Sequence, residues 1–137
     1  MSLLSTKGVY GLMSIYEISK GDGQNPVSLK DISTNIGVSK NYLEQVLNAL
    51  RNSGFVGSIK GLKGGYFLLK TLDEITFYDV FKCIENDFCL TPGYSKHATY
   101  DLLFREYDDK LTELFKEPLS SFKKYQAEAK KYLNYVI

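Results

Sequence analysis

Apolar residues recur with helical spacing near the start of the chain. The first stripe follows Ser5 and Thr6, either of which can cap a helix, and it ends before the breaker segment 21–26. Its members stand at i, i+3, i+4 and i+7: Val9, Leu12, Met13 and Tyr16. The pattern predicts a first helix. Gly8 and Gly11 are poor helix formers, so they indicate a close approach either by another backbone or by DNA, and ordinary packing is an equally good alternative.

Two capped helices joined by a glycine-containing turn are predicted next. Ser28 and Asp31 resemble a capping box, and Gly37 stands where a helix C-terminus needs a left-handed residue. Ser39 caps the third helix, which we expect to run to about Ser53. This helix separates an apolar face from a polar face: Leu43, Val46, Leu47 and Leu50 against Lys40, Asn41, Glu44, Asn48, Arg51 and Asn52. The pattern is typical of a helix-turn-helix.

A β-hairpin is predicted directly after the third helix. Segments 55–59 and 66–69 are rich in β-branched, aromatic and apolar residues, and a glycine-rich tip separates them: Lys60, Gly61, Leu62, Lys63, Gly64 and Gly65. A nucleotide-binding glycine loop is excluded because Lys63 is not followed by Ser or Thr and because strands flank the tip. The stretch 28–69 therefore predicts a winged helix-turn-helix, which is a DNA-reading module.

The second half of the chain is predicted to be helical, apart from one loop. Thr76 and Asp79 form another capping-box pattern ahead of a short fourth helix. Residues 90–95 have the composition of a loop. Pro118 suits the first turn of a helix, so a last helix is expected over about 118–134.

A long helix is expected between these elements, over about 95–116. Its aromatic and apolar residues follow heptad spacing: Tyr100, Phe104, Tyr107, Leu111 and Leu114. This seam favours dimerisation, and packing within the same chain is the alternative. We therefore expect a mainly α protein with a small β-wing. A winged helix-turn-helix DNA-binding domain would span 1–86, and a sensor loop, dimerisation helix and C-terminal helix would span 87–137.

Composition and charge change this picture only slightly. Of the 137 residues, 44% are hydrophobic, which is enough for a packed core, and the net charge is +1. Residues 1–70 carry eight Lys and Arg against four Asp and Glu, whereas residues 71–137 carry nine against twelve. The N-terminal half is therefore the better candidate for meeting a polyanion. No signal peptide and no apolar run of membrane-spanning length is present, so we expect a cytoplasmic protein with no membrane partner.

The polar face of the third helix carries side chains that can read DNA. Asn and Gln pair with adenine, and Glu accepts a hydrogen bond from cytosine. The small residues of the hairpin tip let it approach a narrow groove, where Lys60 and Lys63 supply phosphate or minor-groove contacts. A merely solvated helix face is the alternative. The flanking turn and hairpin make DNA reading the better interpretation.

Three motifs carry a family resemblance: Ser5-Thr6-Lys7-Gly8-x-Tyr10-Gly11-Leu12, Ser39-x-x-Tyr42-Leu43-Glu44-Gln45-x-Leu47-x-x-Leu50-Arg51-Asn52-x-Gly54, and Gly61-x-x-Gly64-Gly65-Tyr66. Together they resemble the Rrf2 family of bacterial winged-helix transcriptional regulators. The resemblance implies a homodimer joined by the long helix, base or backbone contacts from the third helix, a wing contact from Lys60, and a first helix near the DNA backbone.

The residues expected to bind DNA follow from the motifs and the resemblance together: Thr6, Lys7, Tyr10, Ser28, Ser39, Lys40, Asn41, Tyr42, Glu44, Gln45, Arg51, Lys60, Gly61, Lys63 and Gly64. The ending Asn134-Tyr135-Val136-Ile137 resembles the cysteine-metabolism branch of the family, which carries no cluster.

The two cysteines, Cys83 and Cys89, decide whether a cofactor is expected. Cluster-binding members of the family supply three cysteines after the fourth helix, whereas Cys83 falls within that helix. An iron–sulfur cluster with His97 as a further ligand is an alternative, yet such ligation normally needs more thiolates. We therefore expect no cofactor and no metal. A thiol-based redox response of Cys89, with Cys83 as a second candidate, is an alternative of the same standing as the cluster, and thiols also commonly serve as small core residues.

The sequence thus predicts a sequence-specific transcriptional regulator. We expect a homodimeric repressor on a near-palindromic operator, with the recognition helix in the major groove and the wing in the minor groove. One alternative is a winged-helix interaction module that regulates, or is regulated by, a metabolic enzyme. Others are a small-molecule effector or a redox or iron–sulfur signal. An enzyme is not expected because the chain has one histidine and offers no nucleophile–base pair.

Overall fold

A winged helix-turn-helix followed by two further helices makes up the computed structural model, which describes residues 2–86, 88–90 and 96–136. The elements in chain order are α1 (Thr6–Ile18), α2 (Leu29–Ile36), α3 (Lys40–Asn52), β1 (Val56–Ile59), β2 (Gly65–Leu68), α4 (Phe77–Ile84), α5 (Ala98–Leu114), a 3-10 turn (Leu119–Ser121) and α6 (Phe122–Val136). The predicted mainly α fold with a small β-wing is confirmed. The loop predicted at 90–95 lies outside the described residues from 91 onward.

Both C-terminal helices begin later than predicted. α5 begins at Ala98, and its last helical residue is Leu114. Pro118 is extended rather than helical, with φ −69° and ψ 149°, because it forms an isolated antiparallel bridge with Thr76. The following 3-10 turn delays the start of α6 to Phe122. Proline chemistry alone therefore placed the start of the last helix too early.

Helix caps are in place where the sequence predicts them. The Ser28 side chain accepts a hydrogen bond from the Asp31 N–H at 3.1 Å, and Gly37 ends α2 with φ +72°. Thr76 and Asp79 form a reciprocal capping box, with bonds of 3.0 and 3.1 Å. Caps of this kind stabilise a helix by about 1 kcal/mol each. They fix the start of each helix, and thereby which side chains stand on its first turn.

One hydrophobic core joins α1–α4 to the first wing strand. Its buried members are Ile15, Ile18, Ile32, Leu43, Val46, Leu47, Leu50, Phe55, Val56, Ile75, Val80, Ile84 and Leu119. The four residues predicted to face inward from α3 are all fully buried. Burying a side chain of this size contributes about 1.5–3 kcal/mol. The apolar face of α3 therefore anchors the helix and leaves its polar face outward.

At two glycines of α1, side chains from the end of α4 approach closely. A Cβ on Gly11 would lie 2.7 Å from Cδ1 of Ile84, and a Cβ on Gly8 would lie 2.8 Å from Oε1 of Glu85. The same Glu85 oxygen accepts hydrogen bonds from the N–H of Ser5 at 2.7 Å and from its hydroxyl at 2.5 Å. The side chains of Ile84 and Glu85 therefore favour small residues at both positions, and Glu85 also holds the first turn of α1 through Ser5.

The wing is tied to the start of α2. β1 and β2 pair antiparallel from Val56 opposite Leu68 to Ile59 opposite Gly65. Tyr66 then pairs backbone to backbone with Val27, through hydrogen bonds of 2.9 and 2.8 Å. The residue just before the Ser28 cap thus forms a short third edge of the wing. This link sets the position of the hairpin relative to the helix-turn-helix.

The chain returns to the N-terminal core after α5. Leu119 is fully buried, its N–H donates to the Ile75 carbonyl at 2.8 Å, and its carbonyl accepts from the Tyr16 hydroxyl at 2.8 Å. The ring of Tyr16 stacks on Phe122 with centroids 3.9 Å apart. The division at residue 86 stays a prediction, and the start of α6 packs on the part before it.

Candidate nucleic-acid interface

The polar face of α3 is open. Lys40, Asn41, Glu44 and Gln45 are all exposed, and they occupy the first two turns of the helix. The Ser39 hydroxyl caps this end by accepting from the Tyr42 N–H at 3.3 Å. Hydrogen-bonding side chains and free backbone N–H groups therefore meet at one helix end, where bases and phosphates are both acceptable partners.

The first helix reaches this end of α3. The ring of Tyr10 packs edge-on against the ring of Tyr42, with centroids 5.9 Å apart and an interplanar angle of 84°. Both tyrosines are partly buried, whereas Thr6 is exposed. Lys7, one turn before Tyr10, is half-buried. The structure therefore joins the predicted contacts of α1 and α3 through one aromatic pair.

Arg51 connects α3 to the wing. Its Nη1 donates to the Ser58 hydroxyl of β1 at 3.3 Å, and its Nη2 donates to the side-chain oxygen Oδ1 of Asn48 at 3.1 Å. A guanidinium carries five N–H donors, so these two bonds leave donors for a phosphate. Sequence reasoning missed Ser58, because only the pairing of helix with strand brings it to Arg51.

Charged groups of α3 surround the wing tyrosine Tyr66. Burial raises the pKa of Tyr66, the Arg51 cation opposes that rise, and the Glu44 carboxylate adds to it. Glu44 and Arg51 thus act on the same ring from the recognition helix. Tyr66, at the base of the wing, is therefore within electrostatic reach of two charged side chains of α3.

The wing tip is a tight turn that only glycine allows. The Gly64 N–H donates to the Gly61 carbonyl at 3.0 Å, and Gly61 has φ +115°. A Cβ on Gly64 would collide with the Ile59 carbonyl oxygen. Lys60 and Lys63 are exposed on this turn. Gly61 and Gly64 therefore shape the tip, and the lysines supply its charge.

Ser28 serves first as a helix cap. It is partly buried, and its hydroxyl is engaged with the start of α2. Its neighbour Val27 pairs with the wing, so Ser28 stands at the base of the hairpin. A DNA contact from this residue stays a prediction.

The predicted seam of α5 lies at the surface. No residue of α5 is buried, and the exposed fractions of its seam residues Tyr100, Phe104, Tyr107 and Leu114 run from 36% for Phe104 to 67% for Leu114. Leu111 is half-buried. Packing within the same chain, the alternative to dimerisation, therefore does not cover this face in the described residues. The described part of the chain has no helix with the length and apolarity needed to span a bilayer.

Comparison with known proteins decides the family. Residues 4–128 match the Rrf2 family model, whose description is iron-dependent transcriptional regulator. The chain belongs to the Rrf2 family. As a member, it is a winged-helix transcriptional regulator that binds DNA.

Relatives and solved structures agree with this assignment. The HTH-type transcriptional regulator CymR of Bacillus subtilis is 45% identical over 82 residues, which is 60% of this chain and 59% of CymR, so the match spans less than two thirds of that relative. The regulator IscR of Cronobacter sakazakii is 32% identical over 117 residues, covering 80% of this chain and 72% of IscR. The structure of CymR, the global cysteine regulator of B. subtilis, superposes with a TM-score of 0.76 at 35% identity, covering 91% of this chain and 98% of CymR.

The surroundings of Cys83 determine how reactive its thiol is. The Cys83 thiol donates to the Ala49 carbonyl at 3.2 Å and accepts from the Ser53 hydroxyl at 3.0 Å. Burial raises the pKa of Cys83, and Ser53 and Lys7 oppose the rise to a smaller extent. A redox-active thiol needs a lowered pKa, so the surroundings of Cys83 work against that role.

Metal ligation and Cys89 are the remaining points of cofactor chemistry. In the described ranges, no three side chains of the His, Cys, Asp and Glu types come together as a metal site. Cys89 is half-buried and belongs to the short described segment 88–90. The expectation of no cofactor and the redox role of Cys89 both remain predictions.

Proposed function

We propose that this Rrf2-family regulator is a homodimeric, sequence-specific repressor that acts in the cytoplasm on a near-palindromic operator and has no enzymatic activity. One observation carries the proposal. The apolar face of α3 is entirely buried, while its polar face stands open and the exposed wing tip carries Lys60 and Lys63. An anchored helix with a free polar face suits insertion into the major groove.

Roles divide between reading and anchoring. Asn41, Glu44 and Gln45 would contact base edges, because their amide and carboxylate groups match the major-groove pattern of donors and acceptors. The residues assigned to phosphates are those with cations, hydroxyls or N–H groups at the rim of the reader: Thr6, Lys7, Tyr10, Ser39, Lys40, Tyr42, Arg51, Lys60 and Lys63.

Dimerisation through α5 would supply the second reader. One winged helix contacts few base pairs, and a two-fold axis doubles the contacts while matching a palindrome. The exposed aromatic seam of α5 supports this proposal, since aromatic side chains are typical of protein interfaces.

The test is a titration of fluorescent DNA from the promoter of the protein's own operon. We expect tight binding that weakens with salt, with log K falling by roughly 0.9 per phosphate contacted for each unit of log salt concentration. A scrambled duplex of equal length and composition is the control. Equal affinity for the two duplexes would contradict sequence-specific regulation of that promoter. Failure to find any tight site among genomic fragments would contradict the proposal altogether.

Repression itself has a separate test. Transcription from the bound promoter, reconstituted with RNA polymerase, should fall as the protein is added. A rise would overturn the repressor assignment and leave the DNA-binding assignment intact.

A further inference from the structure

Leu62, at the tip of the wing, has an exposed fraction of 108%, whereas the next most exposed large apolar side chain of the described residues, Tyr132, has 70%. Tyr132 belongs to α6, and most other strongly exposed apolar residues lie on α5 and α6. Leu62 stands far from them in the chain, on the hairpin next to the DNA-reading helix. None of its side-chain surface is covered by its own chain.

The backbone around Leu62 forms a hydrogen-bonded turn. Leu62 and Lys63 are the two central residues of the turn that the Gly64-to-Gly61 hydrogen bond closes. A side chain at Gly64 would collide with backbone, so this turn geometry requires glycine there. A side chain on a hydrogen-bonded turn loses less conformational freedom on binding than one on an irregular loop. The turn therefore presents Leu62 as an exposed side chain in a defined position.

The positive charges on both sides of Leu62 indicate which kind of ligand the wing tip binds. Lys60 and Lys63 are exposed on either side of it, so the tip offers two cations with an apolar side chain between them. A DNA groove has the complementary arrangement, because phosphates line both rims and sugars and base edges form the inside. The minor groove is about 6 Å wide, and paired strands are already about 4.8 Å apart before side chains are counted. One projecting side chain fits where the whole ribbon does not.

We infer that Leu62 is an apolar wedge that enters the minor groove and partly opens a base step. This inference rests on the proposed function and names a residue that sets its specificity. Proteins that bind the minor groove insert Leu, Phe, Ile, Met or Pro between bases in this way. Pyrimidine–purine steps such as TA deform most easily. The wedge therefore favours operators that have a TA step beneath the wing. This preference depends on how easily the step deforms and not on hydrogen bonds to its bases.

The experiment compares four proteins on two operators. The operators differ only beneath the wing, where one has a TA step and the other a stiff AA step. The proteins are wild type, Leu62→Ala, Leu62→Met and Leu69→Ala. Leu69 is the matched control because it follows β2 at the base of the same hairpin and is 56% exposed. Binding is followed by fluorescence titration, and DNA bending by energy transfer between the duplex ends.

Wild type should prefer the TA operator, and Leu62→Ala should lose that preference. We expect Leu62→Ala to bind the TA operator roughly tenfold more weakly, because its apolar surface is no longer buried, and to bend it less. Leu62→Met keeps an apolar side chain and should restore both properties, and Leu69→Ala should match wild type. The salt dependence should be equal in all four, since no phosphate contact is removed.

Three outcomes overturn the inference in distinguishable ways. If Leu62→Ala binds and bends both operators as wild type does, Leu62 is not a wedge, and the proposed function stands. If wild type binds neither operator better than a scrambled duplex, the proposed function fails and the inference fails with it. A loss in Leu62→Ala that is equal on both operators also contradicts the wedge, because step deformability would then play no part.

Discussion

The two halves of the chain treat their apolar residues in opposite ways. In the N-terminal reader, formed by α1–α4 and the wing, the apolar faces meet in one core and α3 buries four side chains completely. In α5, a stripe with equally regular spacing has no buried member. Regular spacing therefore predicts a helix with a covered face, but it does not say which chain covers it. The reader core is covered within the chain, with Leu119 from beyond α5 as one of its members, whereas the stripe of α5 lies at the surface.

The largest expected effect lies in the reader core. Leu47→Ala removes a fully buried side chain and should lower the free energy of unfolding by about 2–5 kcal/mol. Leu62→Ala is the matched control, since that leucine is exposed and its replacement should change stability by no more than about 0.5 kcal/mol. Urea unfolding measures both. Equal losses would contradict the division between core and surface.

The dimer seam gives the next effect. Tyr107→Asp places a charge on an exposed seam residue of α5 and should dissociate the dimer. Operator binding should then weaken by about a hundredfold, because the two half-sites are no longer bound by linked readers. Unfolding of the reader should change little.

Asp109→Arg is the control for the seam. Asp109 is exposed and lies outside the heptad stripe, so the variant should stay dimeric. Sedimentation of both variants gives the answer. A monomeric wild type, or a dimeric Tyr107→Asp variant, would contradict the role of the seam.

Substitutions of Glu44 and Lys63 should distinguish contacts to bases from contacts to phosphates. Glu44→Ala should relax preference at one base pair and cost about 1–3 kcal/mol there. Lys63→Ala should weaken binding on every operator variant alike and reduce the salt slope by about one phosphate contact. A panel of single-base operator variants distinguishes the two. If both variants lose affinity in the same way across the operator panel, the division into base-contacting and phosphate-contacting residues is wrong.

The smallest effect concerns the contact between α1 and the 3-10 turn that precedes α6. Tyr16→Phe removes the hydroxyl that donates to Leu119 and should cost about 1 kcal/mol at neutral pH. Burial raises the pKa of Tyr16 to about 12, whereas an unfolded tyrosine ionises near pH 10. As the pH rises, the Tyr16 hydroxyl therefore loses its proton at a higher pH in the folded state than in the unfolded state. The free energy of unfolding of wild type falls as the pH rises from about 10 to 12.

Unfolding of wild type and Tyr16→Phe across this pH range tests the linkage. The stability advantage of wild type should shrink above about pH 10, because phenylalanine does not titrate. An advantage that stays constant up to pH 12 would contradict the linkage.

Local signals made most of the reader predictable. Ser39 as a cap, Gly37 as a stop and Leu47 as a core residue each depend on a few neighbouring residues, and the tertiary structure agrees with all three. The tip glycines, too, act within one turn. Sequence reasoning therefore succeeded for these features, because the residues that determine each of them are close together in the sequence.

The remaining features depend on contacts between distant segments. Leu119 enters the core next to Tyr16, and Ser58 accepts from Arg51, without any local pattern that marks either pair. Gly8 and Gly11 were visible as unusual, but only the position of α4 gave the reason. Cys83 was visible as a thiol, while its raised pKa depends on burial that the fold creates.

The central claim is that two readers, joined through α5, bind one operator symmetrically. A hydroxyl-radical footprint of the wild-type protein on its operator tests this most directly. We predict two equivalent protected regions related by a two-fold axis, with their centres separated by about one helical turn of 10–10.5 base pairs or a multiple of it, and further protection where each wing meets the minor groove. A single, asymmetric protected region would contradict the account.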